Sequence, residues 1–225
     1  PYDVTGWTLP LQMGVRTVEV VEPFTANLST ITPALPGHAV TSSNSGYYLE
    51  NRTNHDVLAL NRLLAKGHAA YWSNKPTKAS GRSIDAGAIW LPAHDGLQRD
   101  LATLARETGI EPLPGKRPDR GYRLEKPRLG LYQSWTSNMD EGWTRWVLER
   151  YEFAFRSIHD AEIKAGNLGE RYDVIILPSD SPTKLLKGNA SGTMPPRYVG
   201  GFGEQGADNL LAFVRAGGTL ICMGD

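Results

Sequence analysis

One pair of side chains has the spacing of a zinc site. His159 and Glu162 form the pattern H-x-x-E, which some zinc peptidases use. A metal needs both side chains aimed at one point and a third ligand, and the sequence offers no evident third ligand. Asp160 and Glu162 at the start of a short predicted helix also favour the helix dipole. We therefore expect a solvated helix start here rather than a metal site.

A glycine-rich stretch opens a later predicted helix. Gly201, Gly203 and Gly206 match G-x-G-x-x-G, and a strand ending at Asp225 follows. In a dinucleotide site these glycines allow a tight turn and a close approach of the phosphates. That site also needs a strand directly before the first glycine, and residues 193–197 (TMPPR) make a poor strand. The pattern favours the glycine-rich end of a long loop over a nucleotide site.

The single cysteine lies close to half of a nucleophile motif. Cys222-Met223-Gly224 matches part of the strand–turn–helix elbow that carries a thiol nucleophile in amidotransferase-type enzymes. Leu220 stands where the first glycine of the elbow would be, and Cys222 lies inside an apolar run. A nucleophile and a buried small hydrophobic residue both remain open, and the pattern favours the buried residue.

A polar and aromatic stretch, Gln133–Trp143 (QSWTSNMDEGW), follows a predicted parallel strand and enters a helix. Ligands of open α/β sheets bind at that edge. The candidate ligand-binding side chains are Gln133, Ser134, Trp135, Asp140 and Glu141. Asp140 and Glu141 could bind a cation or a hydroxyl group, but Asn138 and Glu141 also have the spacing of a capping box. We favour capping for the carboxylates and packing for Trp135 and Trp143.

The composition restricts the classes of partner. The chain has 225 residues, with 24 basic and 24 acidic side chains and no net charge. Because there is no basic excess, nucleic acid is not an expected partner. No stretch approaches the roughly 18 to 20 apolar residues of a membrane span. One cysteine excludes an internal disulfide framework and a cysteine-rich zinc site.

The first half of the chain suggests three segments. Residues 1–37 read as an extended connecting segment with a short strand around Val18–Val21, and residues 38–115 as a small α/β domain. The strands expected there lie at 46–50, 68–73 and 84–91, the helices at 54–66 and 97–108, and a polar turn at 75–81. Prolines and charges then predict a linker at 116–127.

The segment 128–225 alternates strand and helix. The expected strands lie at 128–134, 155–158, 173–177 and 219–223, the helices at 138–150, 160–165 and 204–216, and a long loop at 178–203. The continuous apolar run of 173–177 is typical of a parallel strand buried on both faces. A β-α-β series predicts right-handed crossovers and an incomplete doubly wound parallel sheet. The fold class is therefore α/β, of the flavodoxin-like type, behind a small α/β unit.

Several stretches together resemble a known family. Residues 1–15 (PYDVTGWTLPLQMGV), 48–67 and above all 130–149 (GLYQSWTSNMDEGWTRWVLE) look like the region downstream of the peptidase domain in large bacterial zinc carboxypeptidases. Residues 173–178 (DVIILP), 192–195 (GTMP) and 213–220 (FVRAGGTL) continue the likeness. In that family the C-terminal half resembles a class I glutamine amidotransferase-like domain, which agrees with the alternation described above.

The resemblance implies an accessory role. Zinc and a catalytic Glu would belong to a peptidase domain upstream of Pro1, and neither His159 nor Glu162 matches that motif in context. The implied partners are that domain and its peptide substrate, and the implied location is periplasmic or secreted. We expect the chain to be a fragment, cut at both ends, with no catalytic residue, metal ligand or cofactor of its own. The alternatives are an amidotransferase-like hydrolase that uses Cys222 and a ligand-binding module at the sheet edge.

Overall fold

The computed structural model describes residues 17–30 and 37–224, in two units, Pro1–Ala34 and Leu35–Asp225. In the first unit, residues 17–30 are an exposed chain without regular structure. The strand predicted around Val18–Val21 is wrong, because these valines are exposed and no strand pairs with them there. Residues 1–16, including all of the first family-like stretch, lie outside the described residues, as do 31–36 and Asp225.

The second unit begins with a five-stranded antiparallel sheet and a hairpin. Its elements are β1 (Gly46–Leu49), α1 (Asn54–Ala65), β2 (Ala70–Ser73), β3 (Thr77–Ala79), β4 (Arg82–Ile84), β5 (Ile89–Pro92), α2 (Leu97–Thr108), β6 (Leu113–Pro114) and β7 (Gly121–Leu124). The strand order is β6-β1-β5-β2-β7. Alternate strand residues such as Tyr47 and Leu91 pack on α1 and α2, and their neighbours Tyr48 and Trp90 pack on the β3–β4 hairpin.

Three short strands, β3, β6 and β7, lie where the sequence predicts none. The polar turn expected at 75–81 contains β3, which pairs with β4. The linker expected at 116–127 contains β7, which pairs with β2 as the edge strand of the antiparallel sheet. Exposed edge strands carry polar and charged residues, so their sequences resemble loops.

The rest of the second unit is a parallel sheet between helices. Its elements are β8 (Leu129–Tyr132), α3 (Met139–Arg150), β9 (Phe155–Ile158), α4 (Asp160–Ala165), α5 (Leu168–Arg171), β10 (Val174–Leu177), α6 (Pro182–Lys187), α7 (Gly203–Arg215) and β11 (Thr219–Cys222). The four strands are parallel in the order β11-β10-β8-β9. Numbered from β8, the order is 2-1-3-4, which is that of flavodoxin-like sheets. The predicted fold class is confirmed.

Helices cover both faces of the parallel sheet. On one face Ile175 and Ile158 pack with residues of α4, α5 and α7. On the other face Ile176 and Leu131 pack with Leu148 of α3. The loop predicted at 178–203 contains α6 and a turn of 3₁₀ helix, Pro196–Tyr198.

The edge of this sheet at β11 is open in the described chain. Ile221 and Met223 are both 41% exposed, and α3 presents Trp143 and Trp146 to solvent. Trp143 therefore does not pack in the core of the described chain, contrary to the prediction from sequence. Its spacing along α3 matches Trp146 and Val147, but this face of the helix points away from the sheet.

Two matched substitutions test the buried centre of the sheet. Ile175→Ala is expected to lower the free energy of unfolding by about 2 to 5 kcal/mol, because Ile175 is fully buried in β10. Ile221→Ala in the exposed edge strand is expected to cost less than about 1 kcal/mol. Urea unfolding followed by circular dichroism measures both values. Equal losses would contradict the assignment of β11 to an open edge.

Candidate functional site

The carboxyl ends of the four parallel strands meet at one edge of the sheet. The chain crosses from one side of β8 to the other between β9 and β10, so the strand order reverses between β8 and β10. Open α/β sheets bind ligands in the crevice at such a reversal. Here that position is bordered by the residues after β8, beginning at Gln133, and those after β10, beginning at Pro178.

Asn138 joins the two loops that border this position. Its side-chain amide donates to the Ser179 carbonyl at 3.0 Å and to Asp180 Oδ2 at 3.1 Å. Its Oδ1 accepts from the Glu141 backbone N–H at 3.0 Å and so caps α3. Asp180 in turn accepts from the Ser181 N–H and lies 3.5 Å from the Lys184 ammonium. These polar groups fix the loops relative to each other.

Three aromatic rings form the exposed part of the edge, which we call the aromatic ledge: Trp135, His159 and Tyr198. The Trp135 and His159 rings stack with centres 3.9 Å apart and planes 11° apart. Tyr198 meets Trp135 edge-on at 4.8 Å. The side-chain amide of Asn189 donates to the carbonyls of Trp135 and Tyr198, which ties the 188–202 loop to the ledge. Trp135 keeps 36% of its surface exposed.

The ledge has a fixed orientation. His159 Nδ1 lies 2.7 Å from the Gln133 carbonyl oxygen. Because a carbonyl oxygen only accepts, Nδ1 carries the proton in this bond. The imidazole is thereby held flat against Trp135 in one rotamer. The guanidinium of Arg197 lies 4.4 Å from the centre of the Tyr198 ring and adds a positive charge beside the ledge.

A buried polar pair lies beneath the ledge. The Tyr132 hydroxyl donates to Asp160 Oδ1 at 2.6 Å, and both residues are buried. Burial raises the pKa of the Asp160 carboxyl, while the Tyr132 hydrogen bond and the charges of Lys164 and His159 lower it by less. Burial, together with the bond to Asp160, also raises the pKa of the Tyr132 hydroxyl well above its ordinary range. The tyrosine therefore acts as a neutral donor.

The five candidate residues do not converge on one point. Trp135 belongs to the ledge. Ser134 closes its own turn, because its hydroxyl lies 2.9 Å from both the carbonyl and the hydroxyl oxygen of Thr136. Gln133 contributes backbone bonds, its N–H to the Ile158 carbonyl and its own carbonyl to His159. Its half-buried side chain has no hydrogen-bond partner among the described residues.

The two carboxylates of the candidate set lie on the first turn of α3. Glu141 is buried and binds Arg145, which also donates to the Ser157 hydroxyl at 2.8 Å. Only half of the capping box forms, since Asn138 accepts from Glu141 while the Glu141 carboxylate turns to Arg145. Asp140 is exposed at the helix start. The cap is thus supplied by the Asn138 side chain, whereas the Glu141 carboxylate forms an ion pair within α3 instead of the predicted reciprocal cap.

Sequence reasoning missed several residues at this edge, among them Ser179, Asp180, Asn189 and Tyr198. Ser179 and Asp180 had a signal, since they directly follow the apolar strand run that ends at Leu177. Asn189 and Tyr198 had none, because they lie in the long loop and reach the ledge only through its fold.

The H-x-x-E pair does not fit a zinc site. His159 stacks on Trp135 and bonds Gln133, whereas Glu162 Oε1 accepts from Arg171 at 2.8 Å and from the Tyr172 hydroxyl at 2.7 Å. Each side chain is engaged by a different neighbour. In the part of the chain that the structure describes, no group of three or more His, Cys, Asp or Glu side chains could hold a metal ion.

The glycine motif serves packing. A side chain at Gly201 would bring its Cβ to 2.2 Å from the Leu185 carbonyl oxygen, and one at Gly206 to 2.6 Å from Phe202 Cβ. Both glycines are thus needed where α7 meets the end of the preceding loop and α4. The space that a side chain would need at these two glycines is occupied by the protein's own atoms.

Cys222 is exposed, so the prediction of a buried small hydrophobic residue is wrong. The apolar run around Cys222 indicates a strand that is buried on both faces, as β10 is. β11 has the same composition but lies at the open edge, with one neighbouring strand in the described chain. Its thiol has no hydrogen-bond partner among the described residues.

Comparison with protein-family models, with curated proteins and with solved structures finds no match for this chain. Among the described residues, no helix is both long and apolar enough to cross a membrane.

The Asp160 carboxyl gives a pH-dependent stability. Because its folded-state pKa is raised above its ordinary 3.8, its ionisation costs more in the folded chain than in the unfolded one. The wild type should therefore lose stability relative to Asp160→Asn as the pH rises from 3.8 through the raised folded pKa. Urea unfolding of both proteins across this pH range measures the difference.

Asp173→Asn is the control with the opposite sign. Hydrogen bonds from Arg128 lower the pKa of the Asp173 carboxyl in the folded chain. The ionised carboxylate therefore stabilises the fold at a pH above the pKa of the unfolded state, and this stabilisation is lost as the pH falls through the lowered folded-state pKa. A stability difference between wild type and Asp160→Asn that does not change with pH would contradict the buried assignment of Asp160.

The exposed thiol of Cys222 is open to a direct test. A disulfide reagent such as dithionitrobenzoate should label the folded chain within about tenfold of the rate seen in denaturant, because no opening of the structure is required. Cys222→Ser, which removes the only cysteine, gives the blank. Labelling only under denaturing conditions would instead support the predicted burial of the thiol.

Proposed function

We propose that this chain is an accessory region of a zinc-dependent carboxypeptidase and that its aromatic ledge binds the peptide substrate. The observation that carries the proposal is the half-exposed stack of Trp135 on His159 at the edge where open α/β sheets bind ligands. The family-like stretch at 130–149, which contains Trp135, supports the link to carboxypeptidases. In this proposal zinc and its ligands belong to a separate catalytic domain.

The chemistry of the ledge suits the end of a peptide. Trp135 offers a flat apolar surface to an apolar or aromatic side chain. Arg197 has no ion pair or hydrogen bond among the described residues, so its guanidinium is free to bind a C-terminal carboxylate. The carboxylates nearby are already bound, with Asp160 facing Tyr132 and Asp180 facing Asn138. The ledge would therefore hold a peptide terminus without cleaving it.

Peptide binding is tested with a blocked tripeptide that ends in phenylalanine with a free carboxylate. Trp135→Ala should weaken its binding about tenfold, since loss of a stacking surface costs about 0.5 to 1.5 kcal/mol beyond the buried area. Isothermal titration calorimetry measures the affinity. Trp143→Ala, which removes an exposed tryptophan from α3, is the matched control and should leave the affinity unchanged.

Three results would contradict this proposal. The carboxamide of the same tripeptide should bind several-fold more weakly, and equal affinity would remove the role given to Arg197. A purified chain that hydrolyses the tripeptide, and loses that activity with a chelator, would make the chain itself the peptidase. A folded Trp135→Ala variant with unchanged affinity would remove the ledge from the site.

The exposure of Cys222 favours a second candidate, an amidotransferase-like hydrolase. The thiol lies at the carboxyl end of β11, the end at which nucleophiles of this fold class are found. Glutaminase activity of the purified chain that is abolished by Cys222→Ser would support it. Activity that survives the substitution, or no activity with a readily labelled thiol, would reject Cys222 as the nucleophile.

A further inference from the structure

A cleft lies at the opposite end of the parallel strands from the aromatic ledge, at the amino ends of β8 and β9. It has a volume of about 380 Å³, within the range of small-ligand sites. Leu129 and Phe155 lie side by side in its floor, because they are the first residues of β8 and β9 and pair directly with each other. Four basic residues and two aromatic residues line most of it: Lys126, Arg128, Arg156, Arg171, Phe155 and Tyr172. We call it the basic cleft.

Two of the four cations are neutralised by the protein. Arg128 binds both carboxylate oxygens of Asp173, with the closest contact at 2.6 Å, and also bonds two carbonyls of α5. Arg171 binds Glu162 at 2.8 Å and the Gly166 carbonyl at 3.1 Å. These two ion pairs hold the walls of the basic cleft in place. Because each pair is neutral, neither adds a net charge to the cleft.

The other two cations have no partner in the described chain. Neither the Lys126 ammonium nor the Arg156 guanidinium makes a hydrogen bond or an ion pair with a described residue. Arg156 is close enough to Tyr172 for its charge to act on the phenol. The basic cleft therefore carries about two uncompensated positive charges, although the net charge of the whole chain is zero.

The remaining lining is apolar or neutral. Phe155, Leu129, Pro127 and Ala154 contribute the apolar part. The Tyr172 hydroxyl donates to Glu162, and burial together with this bond raises the pKa of Tyr172 to about 12. The phenol is therefore uncharged at neutral pH and does not repel an anion.

We infer that the basic cleft binds a small organic anion in which a phosphate monoester is joined to a planar apolar group. A phosphate monoester carries about −1.5 to −2 charges at pH 7, which matches Lys126 and Arg156 together. Guanidinium and ammonium groups are the usual partners of phosphate oxygens. The apolar lining around Phe155 would receive the planar group. This site is separate from the aromatic ledge, which lies at the other edge of the sheet.

Calorimetric titration of the full chain with phenyl phosphate tests the inference. Inorganic phosphate and benzyl alcohol serve as probes of the charge and of the ring alone. We expect phenyl phosphate to bind at least about tenfold more tightly than either, and its affinity to fall with added salt. Benzyl alcohol binding as tightly as phenyl phosphate, or no saturable binding of phenyl phosphate at millimolar concentration, would overturn the inference.

Substitutions locate the bound anion. Arg156→Gln and Lys126→Gln should each weaken phenyl phosphate binding about tenfold, because each removes one charge-assisted contact. Both side chains lack partners in the described chain, so the fold should tolerate the changes. Arg215→Gln at the end of α7 removes an equal charge elsewhere and should have no effect. Equal affinity in wild type and in both cleft variants would place the anion elsewhere.

The two proposals separate in one set of measurements. Trp135→Ala should leave phenyl phosphate binding unchanged, and Arg156→Gln should leave tripeptide binding unchanged. Loss of phenyl phosphate affinity in Trp135→Ala would assign the anion to the ledge and overturn the basic cleft. Loss of tripeptide affinity only in Arg156→Gln would instead remove the peptide from the ledge.

Discussion

Parallel pairing of β8 with both β9 and β10 is the constraint on which the site depends. β8 has a strand on either side and helices over both faces, so its backbone and its side chains have no access to water except at the two ends. The pairing of Tyr132 with Ile158, and of Leu131 with Ile176, brings the three carboxyl ends to one level. Loops that leave those ends must satisfy their polar groups against one another. Asn138 and the Tyr132–Asp160 pair do this.

Much of the parallel sheet could be predicted because its signals are local and strong. The apolar run of β10 and the alternation of strands with amphipathic helices identify the fold class without knowledge of any contact. The same logic marks the stretch after β8 as a site candidate, since ligands of open α/β sheets bind at the carboxyl ends of the strands. Trp135 is at this edge in the structure.

What could not be predicted depends on neighbours far away in sequence. β10 and β11 have similar apolar sequences, yet only β10 lies between two strands, so burial of Cys222 was wrongly predicted. β7 has polar, exposed residues and becomes a strand only because β2 supplies its partner. Tyr198 meets Trp135 across 63 residues of chain, through a loop whose fold no local pattern indicates.

The short connection between the two sheets has a mechanical consequence. Residues 125–128 alone join β7 to β8, and Arg128 within them is fastened to Asp173. A second attachment runs from α1, where Asn61 donates to the Tyr151 carbonyl and Arg62 binds Glu152. The short connection and the α1 contacts join the two sheets at two separate places. Rotation of one sheet about residues 125–128 would therefore have to break the Asn61 and Arg62 contacts.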